Sequence, residues 1–233
     1  MRASDQRSST PEHSACAPRV AWYSRMSADD ARQRFYDATR RHLLAPLPGG
    51  IEVRAATPDE WSHHTDAWWN AEARGPIDLG PAYSDEMRAG LADLDACLAP
   101  GLRHHVVLWN GDEPIGSYHG EQEPWGRYYM VNTILAPAWR SRGLYRAMLG
   151  NVERAVAAAG FREMYSRHRA DNNAVIVPKL KAGWLISAFE VTLKYGLLVH
   201  LKKYLVDELV RLHGYRVDGG DAPALRAAGL RVP

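Results

Sequence analysis

A basic turn, Arg140-Ser141-Arg142-Gly143-Leu144-Tyr145-Arg146, sits between an apolar run and an amphipathic helix, and this order constrains the chain more than any other stretch. The run Val131-Asn132-Thr133-Ile134-Leu135 reads as a strand that Pro137 stops. Beyond the turn, Leu144, Met148, Val152, Ala155 and Ala159 recur at helical spacing. The first turn of a helix carries unpaired backbone N–H groups and the positive end of the dipole, so an anion docks there with arginine side chains around it. The stretch reads as a pyrophosphate cradle.

A chain of 233 residues fits one large domain or a domain with an extension. At that length it buries roughly 70% of its unfolded surface, enough for a core without covalent staples. The net charge of +2 gives no general reason to expect nucleic acid or an anionic membrane as partner; the basic character is local. Arg140, Arg142, Arg146, Arg167 and Arg169 have the charge for a nucleic-acid binder, but no reading motif accompanies them. Two cysteines, Cys16 and Cys97, lack metal-ligand spacing and suit a reducing compartment. With no run of about 18 apolar residues and no secretory-type leader, a cytoplasmic protein is expected.

In chain order, residues 1 to 26 read as a disordered segment and 27 to 50 as a helical extension that Ser27 caps. The domain proper is expected over 51 to 205, followed by a helix from Val206 to His213 and a tail ending at 233. It opens with a short strand from Ile51 and a helix from Pro58 to about Arg74, in which Trp61, Trp68 and Trp69 read either as core packing or as a groove wall. A second helix begins at Ser84 and runs through Leu98. Strands follow at His104–Trp109, Pro114–Glu121 and Arg127–Leu135. After the long helix come a strand at Phe161–His168, a helix through Lys181, and a closing hairpin of Trp184–Thr192 and Leu197–Leu205. The expected fold is α/β, a mixed sheet of six to seven strands with helices on both faces and a parallel central strand-helix-strand unit.

The order of elements, the turn Arg140-x-x-Gly143-x-Tyr145 and the later run Asn172-Asn173-Ala174-Val175-Ile176-x-x-Lys179-Leu180-Lys181-Ala182-Gly183-Trp184 together resemble the GNAT superfamily of acyl-CoA-dependent N-acyltransferases. The resemblance covers about residues 51 to 205. It implies acetyl-CoA as cofactor, with Arg140, Ser141, Arg142, Gly143, Leu144, Tyr145 and Arg146 as the pyrophosphate loop. Ile134 and Leu135 match the strand backbone that pairs with the pantetheine arm, the Leu135 N–H being the oxyanion donor, and Asn172 matches the residue that steadies that arm. Tyr145 stands where the family usually has Gly or Ala. Lys179 stands where many members have the Tyr that protonates the departing thiolate.

A lysine can be that acid when burial lowers its pKa; it can equally reach solvent or pair with cofactor phosphates. For the base, His168, Glu121, Glu123 and His119 are the titratable residues near the expected cleft, and His168, which ends the strand before Asn172, is preferred because the neighbouring strand is expected to carry the acyl group and two residues separate it from Asp171. Trp68, Trp69 and Tyr83 form a candidate acceptor pocket for the primary amine of a small molecule. His104 and His105 face opposite sides of a strand, so no metal is assigned. The reading is direct acetyl transfer in a ternary complex, with a catalytically degenerate CoA-binding module as the alternative. The N-terminal helix and the closing hairpin offer homodimer surfaces.

Overall fold

The structure, a computed structural model, describes residues 27–71, 84–87, 101–220, 222–227 and 229. Seven strands form one sheet in the order β1-β2-β3-β4-β5-β7-β6. They are β1 Glu52–Ala55, β2 Arg103–Asn110, β3 Glu113–Glu123, β4 Arg127–Leu135, β5 Glu163–Arg169, β6 Leu185–Thr192 and β7 Gly196–Tyr204. All neighbours are antiparallel except β4 and β5. The helices among the described residues include α1 Ala28–Ala38, continued by a π turn at Thr39–Leu43, α2 Pro58–Ala71, α3 Leu144–Ala159, α4 Asn173–Lys181, α5 Asp207–Asp218 and α6 Ala222–Ala227. The mixed sheet with helices on both faces is the fold expected from the sequence. Helix α5 outruns its expected end at His213 because Gly214 is tolerated inside it and Gly219, at φ 75°, supplies the stop.

Strand alternation assigns the two faces. Tyr118 and Tyr128 turn toward α1 and α3, whose Phe35, Leu144, Met148 and Val152 complete the core. Ser117, His105 and His119 turn the other way, toward α2: Thr65 donates to Ser117 at 2.8 Å, and Trp61 meets both histidine rings edge-on. Burying each large apolar side chain of α3 contributes roughly 1.5–3 kcal/mol, which is why this helix holds its place against the sheet.

One buried polar chain ties the N-terminal helix to the sheet. Tyr118 donates to Tyr128 at 2.9 Å, Tyr128 meets His104 Nδ1 at 2.6 Å, His104 Nε2 meets Thr39 at 2.7 Å, and Thr39 donates to the Phe35 carbonyl at 2.7 Å. Because Thr39 spends its proton on Phe35, the histidine must donate from Nε2 and accept at Nδ1, so every member is satisfied by a neutral ring. Burial, with the neighbouring His105 and His119 adding to it, pushes the His104 pKa down to about 3, which holds that neutral form. Gly120 lies beside the two tyrosine hydroxyls, and a Cβ there would overlap both.

The feature that positions the site is the parting of β4 from β5. They pair for three rungs only, Arg127 with Glu163, Tyr128 with Met164 and Tyr129 with Tyr165. On its other side β4 carries a bulge: His119 faces Asn132 while Gly120 faces Met130, leaving Val131 unpaired. A bulge bends its strand and sharpens the twist, and this one falls where β4 leaves its parallel neighbour. Met130 and Ser166 are thus the first residues past the apex of a wedge-shaped opening.

Candidate functional site

The opening is lined by backbone from β4. Leu135 and Gly116 face each other without exchanging hydrogen bonds, since Ala136 N–H reaches the Ile115 carbonyl instead. The N–H and carbonyl of Leu135 therefore point into the opening. Arg140 donates its Nε proton to that carbonyl at 2.9 Å, which folds the turn back onto its own strand.

Ser141 and Gly143 both adopt positive φ, 60° and 78°. Gly143 is the N-cap of α3, no side chain caps that helix, and nothing lies within 4 Å of where a Cβ would stand. The first-turn N–H groups therefore have no side-chain cap, and Arg140, Ser141, Arg142 and Arg146 are exposed around them. Arg142 lies over the Trp139 ring at 4.6 Å. Leu144 is buried, and Tyr145 turns into the helix packing, where burial and the Glu153 charge raise its pKa. A cleft of about 450 Å³ runs on from the turn, with Gly143, Arg146 and Arg154 on one wall and Pro46 and Pro48 on the other. Ile134 is buried within β4, and half-buried Asn172 caps α4 through its backbone carbonyl, its side chain making no capping bond.

Below the apex lies an unusual lysine. Lys179 is 1% exposed, and its three ammonium protons have an oxygen, a sulfur and a ring as partners. They are Ser166 Oγ at 2.7 Å, Met130 Sδ at 3.6 Å and the face of Trp184 at 4.0 Å. The helix end builds this contact. Gly183 takes φ 82° and the Trp184 N–H returns to the Lys179 carbonyl at 3.0 Å, which folds the indole back over the lysine. Trp184 Nε1 donates to Glu153 at 2.7 Å, and the other oxygen of Glu153 accepts from Lys203 at 2.6 Å. Burial pushes the Lys179 pKa down to about 7, with the Glu153 charge pulling weakly the other way. Pro178 sits inside α4 without ending it.

His168 meets the same Ser166 Oγ through Nε2 at 2.9 Å, and burial, helped by the Lys179 charge, lowers its pKa to about 3. Lys179 and His168 are thus brought together through a serine that the sequence pattern did not single out. Its signal lies in the alternation Met164, Ser166, His168, which puts a small hydroxyl on an otherwise buried face. Glu121 lies on the opposite face, in register with Tyr129 at the last rung before the opening, and pairs with Arg103 at 3.3 Å. His119 stacks on His105 at 4.3 Å, and burial lowers its pKa to about 4; its Nε2 has no hydrogen-bond partner among the described residues. Glu123 accepts from the Tyr165 hydroxyl. Trp68 and Trp69 are half-buried on α2, while Tyr83, Cys16 and Cys97 lie outside the described residues. Among the described residues no group of His, Cys, Asp or Glu is placed to hold a metal ion, and no helix is long and apolar enough to cross a membrane.

Comparison with known proteins agrees with this geometry. No curated protein matches the sequence. Among solved structures the chain is similar to RimL, a ribosomal L7/L12 alpha-N-protein acetyltransferase in complex with coenzyme A, with 14% identity, TM-score 0.51, and coverage of 68% of this chain and 96% of that one. It is also similar to the NatC complex bound to Gag peptide and CoA, at 14% identity and TM-score 0.49 over 67% of this chain and 99% of that one. An N-acetyltransferase from Staphylococcus aureus Mu50 gives 15% identity and TM-score 0.48 over 67% and 99%. Residues 62–176 match the family model of the acetyltransferase (GNAT) family, and with the strand order and the parted strands in agreement, this segment of the chain is a GNAT acetyltransferase domain.

Proposed function

We propose that the chain transfers an acetyl group from acetyl-CoA to the primary amine of a small molecule, by direct attack within a ternary complex. The observation that carries the chemistry is the lysine at the apex. An acyl transfer of this kind needs donors for the oxyanion and an acid for the departing thiolate. Lys179, with a pKa near neutrality and its ammonium between the two strands where they part, has the properties of that acid. The inward-facing Leu135 N–H supports an oxyanion donor on β4. The Arg140–Arg146 turn suits the pyrophosphate, and the neighbouring cleft, with Arg146 and Arg154, suits the nucleotide end.

Glu121 is assigned to the acceptor side. It lies across the sheet from Lys179, on the face that α2 covers and beside His119, so the amine approaches from one face and the thiolate is protonated from the other. Bound acetyl-CoA would supply the acetyl thioester; the chain's own residues hold it, polarise it and return a proton to sulfur. RimL is an alpha-N-protein acetyltransferase, so peptide N-termini belong in the test as competing acceptors. The experiment measures free thiol released from acetyl-CoA over a panel of small amines and N-terminal peptides, beside a thermal-shift titration with acetyl-CoA and CoA. Stabilisation with turnover on a small amine is expected. Stabilisation without turnover on any acceptor would favour the degenerate module, and turnover on peptides alone would overturn the small-molecule assignment.

A further inference from the structure

The acid must be recharged after each turnover, and Lys179 has no direct route to water: it is 1% exposed, and Ser166, its one oxygen partner among the described residues, is fully buried. The next atom along that path is His168 Nε2, 2.9 Å from the same hydroxyl, on a half-buried residue at the end of β5. A lysine ammonium only donates, so while Lys179 is charged Ser166 must accept from it and give its own proton to His168 Nε2. The histidine then carries its proton on Nδ1. When Lys179 is neutral the polarity reverses, and the amine lone pair accepts from Ser166, which accepts from a proton on Nε2.

We infer that Ser166 is a positioning residue that couples the charge of Lys179 to the tautomer of His168, and that protons return to the buried acid along this path. This rests on the acyl-transfer reading for its purpose, though not for its chemistry. The step balances. A proton arriving at Nδ1 of the Nε2–H tautomer displaces the Nε2 proton to Ser166 Oγ, whose own proton passes to the neutral Lys179 amine. One proton enters, one N–H bond forms on lysine, and the histidine is left protonated on Nδ1. The groups facing Lys179 are His168 on β5, the Met130 thioether on β4, Trp184 beyond α4 and, behind that indole, Glu153 on α3 with Lys203 on β7. Glu153 is held by Trp184 and Lys203, so Ser166 is the polar contact through which the ammonium exchanges a proton.

Two measurements test it on the full chain. The first is the tautomer of His168, read by 15N NMR of histidine-labelled protein at about pH 5.5 and about pH 9, either side of the lysine titration. Nδ1–H at the lower pH and Nε2–H at the higher are expected in the unaltered chain, with the pH dependence lost in Ser166→Ala. A His168 tautomer that does not change with pH in the unaltered chain overturns the coupling. The second is kinetic. Ser166→Ala should lower kcat for thiol release by ~10–100-fold with the KM for acetyl-CoA nearly unchanged, and Ser166→Thr should restore most of the loss. In a Lys179→Met background the same Ser166→Ala change should cost less than ~3-fold, because the two residues act as one unit. Equal losses in both backgrounds overturn the proposal. A tautomer switch in a chain that releases no thiol with any amine leaves the coupling standing and overturns the acyl-transfer reading instead.

Discussion

The ammonium of Lys179 stands 4.0 Å from the centre of the Trp184 ring, and among the described residues no carboxylate is hydrogen-bonded to it. An aromatic face, a thioether and a hydroxyl together stabilise a buried cation less than one ion pair would. Holding this lysine where it lies therefore costs stability whenever it is charged.

Replacing Lys179 with Met should raise stability at neutral pH by about 1–3 kcal/mol while lowering thiol release. The pH dependence distinguishes this from a packing effect. Between about 7 and the ordinary lysine value of 10.5 the unfolded chain binds the proton and the folded chain does not, so this group makes stability rise with pH across that window. Urea denaturation at the two ends of the window should show the rise in the unaltered chain and a smaller one in Lys179→Met.

The same titration should appear in catalysis with the opposite sense. An acid whose pKa is about 7 is lost as pH rises, so the rate of thiol release should fall on the alkaline side with a midpoint near that value. In Lys179→Met the alkaline limb should disappear from the profile of kcat/KM against pH. Survival of an identical limb would mean that another group protonates the thiolate.

Gly143 holds φ 78° facing open space, so substitution there tests the cradle. Gly143→Ala should cost about 1 kcal/mol of stability from its backbone conformation alone. It should weaken acetyl-CoA binding by a further ~10–100-fold, as expected when an intruding methyl displaces one charge-assisted hydrogen bond. Calorimetric titration alongside thermal unfolding separates the two effects.

Thr39 links the N-terminal helix to the sheet through His104. Thr39→Val leaves the buried Nε2–H of His104 without an acceptor and should destabilise the fold by roughly 1–3 kcal/mol. Thr39→Ser keeps the hydroxyl and should lose well under half of that. Equal unfolding midpoints for the two variants would show that the hydroxyl chain does not hold α1.

Local pattern was enough to read most elements. β4 coincides with its expected Arg127–Leu135, because Pro137 and the alternation leave little freedom at either end. The parting of β4 from β5 was not legible: it coincides with the Val131 bulge, and a bulge is a property of two strands in register rather than of one. The site divides in the same way. The Arg140–Arg146 turn announces itself through charge and spacing within seven residues. Burial of Lys179 and its bond to Ser166 join α4 to β5, and no local period reports that a long cationic side chain will be turned inward. The links from His104 to Thr39 and Tyr128 span 65 and 24 positions, beyond any pattern of neighbours.

The bond from Arg140 to the Leu135 carbonyl has a kinetic consequence. It fastens the turn to the strand it has just left, so the loop's ordering entropy is spent during folding and not on encounter. A preassembled grip needs no slow isomerisation before or after contact. Anion capture should follow a single exponential whose rate rises linearly with ligand concentration and falls with ionic strength, as for a rigid, electrostatically guided collision.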